Sequence, residues 1–537
     1  MRFAVLLFPA SLLCIPERHA LAQAHHAATH DVGAVRFEVS CAPAVREDFD
    51  RAVALLHHMM YVEARQAFED VARRAPDCAM APWGVAMTLF QPLWPTRPDT
   101  ATLRRGWDLV AHATSLGAGT ERERALVAAA EAFYRDPDTA DWWTRIRRWA
   151  AAMEEAYRAR PDDVETGAFY ALSQLAVGQV AGDRMAYQAR AAALLLRIHE
   201  RAPRHPGASH YTIHANDVDG RAGESLDIVR GYDDIAPEVP HALHMPTHIF
   251  VRLGDWPGVI EWNRKSADAA LRLPAGNHTS IHYMHAMDYL IYANLQRGAD
   301  AAATAALEEA LDRGPYQVDF QSAFHLSAMP ARYTVERRMW AEAAGLTPRT
   351  PAALPWDDYW WPEATTWFAR GLGAARTGDS AGARAAAERM LVLERAAAGA
   401  GEDGFARYIR TDRLVLAGWI ARLTGDADEA LARMREAVEV EKTVQKHPVT
   451  PGALFPPYEA LGDLLLELDR PHEALAAYEQ SLTAWPKRFN SLLGAARAAS
   501  AAGDEAQARA RYAELLAVVG DVVTERAGVR EARQVVR

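Results

Sequence analysis

From Val45 to Arg74 the apolar positions recur every third or fourth residue, the period of a helix that buries one face. The run ends in Tyr61, Ala64, Phe68 and Val71, where small and aromatic residues alternate as they do when the second helix of a hairpin packs on its first; Pro76 closes the unit. The same pattern predicts a helix over 79–90, then a loop over 91–108 broken by Pro92, Pro95 and Pro98 and reaching over the inner face of the array. Helices resume from Thr120, with Pro161 and Pro206 as stops. A second break falls where Pro348, Pro351, Pro355 and Pro362 crowd together with Trp356, Tyr359, Trp360 and Trp361; packing accounts for these aromatics more simply than stacking on a sugar or peptide.

Beyond that break the pattern repeats. Ala474 and Tyr478 return 34 residues later as Ala508 and Tyr512, and two further units centre on Gly371 with Gly378-Asp379 and on Gly418 with Gly425-Asp426, each Gly-Asp pair making the turn between helices. Between these pairs of units, Lys446 to Pro457 is a proline-rich insertion. An interval of 34 residues is the length of the tetratricopeptide helix-turn-helix. Abundant alanine and few β-branched runs favour helix throughout. The expected fold is therefore an all-α solenoid, a right-handed superhelix in one or two halves. It divides into a leader over 1–24, an N-terminal repeat region over 25–345, a Pro/Trp-rich connection over 346–366 and C-terminal repeats over 367–537.

Composition refines this modestly. A net charge of -11 with both signs mixed along the chain offers no basic stripe for nucleic acid. After the leader, no apolar segment approaches the length of a membrane span. Residues 1–24 read as an export signal, with Arg2 before an apolar stretch from Phe3 to Ile15 and small residues at Ala20, Ala22 and Ala24, so the expected location is periplasmic or secreted. Export leaves two cysteines, Cys41 and Cys78, which an oxidising compartment allows to pair.

The chemistry lies in a spacing of histidines. Pro206, Pro240 and Pro274 recur at the repeat interval, and each is followed four and eight residues later by histidine: His210, His244, His278 and His214, His248, His282. Positions i and i+4 share a helix face, and neighbouring first helices of such an array line its concave surface, so the imidazoles should face one groove. Neutral imidazole is the commonest side-chain metal ligand. The expected metal ligands are His210, His214, His244, His248, His282 and His285, with His241 as a further candidate. Pro246 makes His244 the least regular of them, and His278 beside Asn277 reads as a helix cap. An all-imidazole set suits zinc, copper, iron or nickel rather than calcium or magnesium, and export favours zinc or copper. Asp217, Asp288, Tyr211 and Tyr289 are candidate proton carriers, while His57-His58, Arg252 and Arg264 read as structural or carboxylate-meeting positions.

Competing explanations are a structural histidine pair copied by duplication, histidines bonded within helix contacts, and a polar surface that recognises a partner. The chain has no His-Glu-x-x-His, cysteine cluster, phosphate loop or Gly-x-Ser-x-Gly elbow.

Several segments resemble a group of exported bacterial tetratricopeptide repeat proteins: LLHHMMYVEARQAFEDVARRAPDCAMAPWGVAM from Leu55, HYTIHANDVD from His210, HALHMPTHIFVRLGDW from His241, HAMDYLIYANLQRG from His285 and KHPVTPG from Lys446. The resemblance implies a helical solenoid with the histidine motifs as shared features, and it carries no reaction. Two functions follow as expectations: a transition-metal site that takes a small-molecule substrate, by hydrolysis or oxidation if it is catalytic, or a periplasmic scaffold whose repeats bind a peptide or protein without metal.

Overall fold

The structure, a computed structural model, describes residues 31–180 and 182–537; the expected leader lies outside them. Asp31–Arg537 forms one compact unit, built of helices with no strand among the described residues. None of its helices is long and apolar enough to cross a membrane. The pattern at the start of the chain becomes the hairpin Arg46–His57 and Tyr61–Arg74, followed by Met80–Leu89. Phe68 packs so closely on Gly84 that a Cβ there would lie 2.3 Å from its ring, which is why that position has no side chain. A disulfide joins Cys41 to Cys78 and ties the extended start of the unit to the loop ahead of Met80–Leu89.

Four of the turns between paired helices share one device. Gly254, Gly378, Gly425 and Gly503 adopt positive φ and let the chain leave the first helix. The following Asp255, Asp379, Asp426 and Asp504 then accept a backbone N–H in the first turn of the next helix. The proline-rich loop is shorter than expected: Asp99 accepts from Thr102 N and caps Thr100–Leu116, a helix where the sequence suggested open loop. The 346–366 segment includes the short turn Trp356–Asp358 and then enters the helix Trp360–Thr377. Trp361 packs against Phe324 and Tyr408, each with ring centroids 4.6 Å away.

The C-terminal repeats return onto the N-terminal ones. Arg488, fully buried, bonds Glu336 at 2.6 Å and Glu459 at 2.7 Å, and donates to the Tyr292 hydroxyl. Trp256 donates to the Lys487 carbonyl and Arg97 forks onto Glu402. The inner face, expected as a groove lined by imidazoles, is covered over most of these rings, and His210, His244, His248 and His285 are at most 5% exposed.

Candidate metal centre

Four helical segments carry the histidines. Pro206–Asn216 holds His210 and His214 one turn apart. Pro240–His244 and Pro246–Leu253 hold His241, His244 and His248, with Pro246 starting the second segment so that His244 closes the first. Ile281–Gln296 holds His282, His285, Asp288 and Tyr289. His278 falls before that helix, is exposed, and belongs to no cluster; Ser280, not His278, caps the helix.

Within this interior two triads form. In His244, His248 and His285, and again in His210, His214 and His241, one nitrogen of each ring lies within 4.8 Å of the others. The triads adjoin, since the His241 and His244 rings are 6.0 Å apart and those of His214 and His248 6.1 Å. His282 lies in neither triad; its ring sits 5.2 Å from His241 and 5.8 Å from Trp94, which the proline-rich loop brings over the site.

Hydrogen bonds behind the first triad decide which nitrogens are left. Asn263 donates through Nδ2 to the Val259 carbonyl, so its Oδ1 faces His244 and must accept from Nδ1–H at 2.7 Å. Asp217 accepts from His248 Nδ1–H at 3.0 Å. Asp288 accepts from His325 Nδ1–H at 3.2 Å, which turns His325 Nε2 into the acceptor for His285 Nδ1–H at 3.1 Å. Each of the three Nδ1 atoms thus carries the proton, and each Nε2 keeps its lone pair. His244 Nε2 and His248 Nε2 face one another across 2.9 Å. Two lone pairs at that distance repel unless a proton or a metal ion lies between them. Burial, and then each other's charge, holds the His244 ring well below its ordinary pKa; burial likewise lowers His248 despite Asp217, so both favour the neutral form.

The second triad is less supported from behind. His210 Nδ1–H donates to the His57 carbonyl at 2.7 Å. His210 Nε2, His214 Nε2 and both nitrogens of His241 are buried with no partner among the described residues. Burial favours the neutral form of all three rings, pushing the His214 pKa down to about 3. Unpartnered buried polar atoms are costly, on the order of 1–3 kcal/mol each. A cation shared by the lone pairs would relieve that cost.

A third cluster makes the contrast. His57, Glu165 and His205 are equally close, yet every polar atom is engaged: Glu165 accepts from both rings at 2.9 and 3.1 Å, Tyr211 O–H bonds His57 Nδ1, and His205 Nδ1 accepts the Ala208 N–H as a helix cap. This cluster is a finished hydrogen-bond network. Tyr211 gives its hydroxyl to this network, although its ring lies 5.6 Å from that of His210. His58 is likewise satisfied, by Tyr232 and the Val32 carbonyl.

The remaining expected proton carriers also stand behind the rings. Asp217 bonds His248, Arg252 and Lys446; burial alone would raise its carboxyl, but Lys446, Arg252 and His248 outweigh it and hold the group ionised. Asp288 bonds His325 and Arg332 in the same manner. Tyr289 donates to backbone carbonyls of the 446–457 insertion, Pro448 or Thr450. Arg252 is taken by Asp217 and Asp219, and Arg264 by Glu309. Asn263, His325, Arg332 and Lys446 were not singled out in the sequence, because none shares the histidine spacing; Lys446 alone left a trace, at the head of the KHPVTPG segment.

No protein-family model matches the chain, and no curated protein matches it. Among solved structures, a tetratricopeptide repeat protein from Parabacteroides merdae aligns with 55% of this chain and 98% of its own, at 12% identity and a TM-score of 0.29.

Proposed function

We propose that this chain is a transition-metal protein in which His244, His248 and His285 hold one ion through Nε2, beside a second histidine set of His210, His214 and His241. The observation that carries this is the 2.9 Å approach of His244 Nε2 to His248 Nε2, each ring held from behind at Nδ1 by Asn263 or Asp217. Metal-bound histidines characteristically donate their other N–H to a carboxylate, amide or carbonyl, which fixes the tautomer and raises ligand basicity. Three imidazoles with an open fourth position suit zinc or copper. Such an ion would polarise a bound oxygen or lower the pKa of a bound water. The chain's own part is to keep the rings neutral, dry and aimed. The Cys41–Cys78 disulfide supports a periplasmic or secreted location, where such bonds persist.

The test is elemental analysis of protein made without a histidine tag. At least one zinc or copper per chain is expected, lost in His244→Ala and His248→Ala and kept in His278→Ala, whose ring is exposed. Substoichiometric metal that His248→Ala leaves unchanged would overturn the proposal.

A further inference from the structure

His214 belongs to the second triad and also lines a cavity of about 680 Å³. That volume is within the range of small-molecule sites. Both halves of the chain build its wall, Arg184 and Gln188 from one and Tyr408 and His447 from the other, and exposed Asp183 and Asp403 stand at its rim.

The charges around it are mostly neutralised. Arg97 forks onto Glu402, Lys442 bonds Glu439, and Asp183 is spent capping the helix Arg184–Arg201. Arg407 stands at the exposed rim with Asp403, whose carbonyl it bonds. Arg184 differs: it is partly buried and has no ion pair or hydrogen bond among the described residues. A guanidinium so placed is a ready fork for a carboxylate. Two more groups are unused. His447 accepts the Val449 N–H at Nδ1, so its Nε2–H remains a donor. Gln188, on the same wall, is 4% exposed, and its Oε1 is buried with no partner among the described residues.

We infer that this cavity binds a small organic carboxylate that also carries a hydroxyl or amino group, with the carboxylate on Arg184 and the donor group on Gln188, and that it delivers this ligand to the histidine site at His214. The inference rests on the metal reading only for what happens at His214; the ligand class follows from the cavity wall. An uncharged analogue lacks the partner that Arg184 calls for, and a purely apolar acid leaves Gln188 unsatisfied.

Calorimetric titration of the purified full chain with lactate, malate and alanine, and with lactamide as the uncharged control, tests it. At least one carboxylate should bind and lactamide should not. A hydrogen-bonded charge pair corresponds to roughly a tenfold or greater change in affinity. Arg184→Gln should weaken binding by about that factor, Arg184→Lys should restore part of it, and metal per chain should be the same in both variants. Failure of every carboxylate to bind, equal binding of lactamide, or equal binding by Arg184→Gln would overturn the inference. Metal content of the same samples separates the two proposals: a metal-free chain with Arg184-dependent binding refutes only the metal centre, and a metal-loaded chain that binds no carboxylate refutes only the ligand.

Discussion

Whether a buried histidine is a ligand or a structural residue depends on what its second nitrogen does. At His57 and His205 both nitrogens are bonded and the group is complete. At His244 and His248 one nitrogen is bonded and the other faces its counterpart. On the proposed reading, Asp217→Asn keeps the shape but weakens the acceptor for His248, and metal affinity measured by chelator competition should fall about 10–100-fold. The spacing of His210, His214, His244 and His248 was legible because the repeat imposes it. Asn263 and His325 were not, because they reach the site through packing between helices and share no interval with the rings they support. His282 and His285 show the same limit in reverse: the interval selects His282, but the helix, starting at Ile281, turns His285 to the triad. Away from the site, burial and then Glu441 raise the Asp412 carboxyl to about 8, while burial raises Glu441 to about 7. The folded chain therefore holds protons that the unfolded chain releases, and stability falls as pH rises from the ordinary carboxylate range through about 8. Asp412→Asn should gain on the wild type between pH 5 and pH 8, on the order of 1–3 kcal/mol in denaturation at the two pH values.

The unit at the scale of elements is a helix hairpin locked by a glycine against an aromatic ring. Tyr478 lies so close to Gly494 that an added Cβ would meet its ring at 2.3 Å, and it approaches Gly462 at 2.8 Å. Gly494→Ala should therefore destabilise the C-terminal repeats by about 1–3 kcal/mol through overpacking, seen as a lower thermal midpoint. The Gly-Asp turns follow from the same economy: a left-handed exit, then a cap. Asp504→Ala removes the acceptor for Gln507 N and should cost about 1 kcal/mol in the same assay. The turns at Gly378-Asp379 and Gly425-Asp426 could be read from the sequence because they are local, whereas the seat of Tyr478 on Gly494 could not, because it joins two helices. The helix Thr100–Leu116 was obscured by three prolines that precede it and do not enter it, since Asp99 caps the chain just after the last of them.

At the scale of the whole molecule, the helical array is the expected one, and the cover over its inner face comes from contacts far apart in sequence, which no local pattern encodes. Arg488 is their centre, buried between Glu336, Glu459 and Tyr292. Removing one partner from a buried ion pair typically costs about 3–5 kcal/mol. Arg488→Ala should lower the thermal midpoint and open the interior, so that diethyl pyrocarbonate modifies more histidines than in the wild type. The closure also sets an order of assembly. Synthesis makes the histidine helices first, and the cover, with Lys446 meeting Asp217 and the insertion meeting Tyr289, comes more than a hundred residues later. While the chain is being made, the rings lack this cover; once the last repeats dock, His214 still borders the cavity between the two halves. On the proposed reading, an ion held by these rings would leave on the timescale of local opening rather than of ligand dissociation.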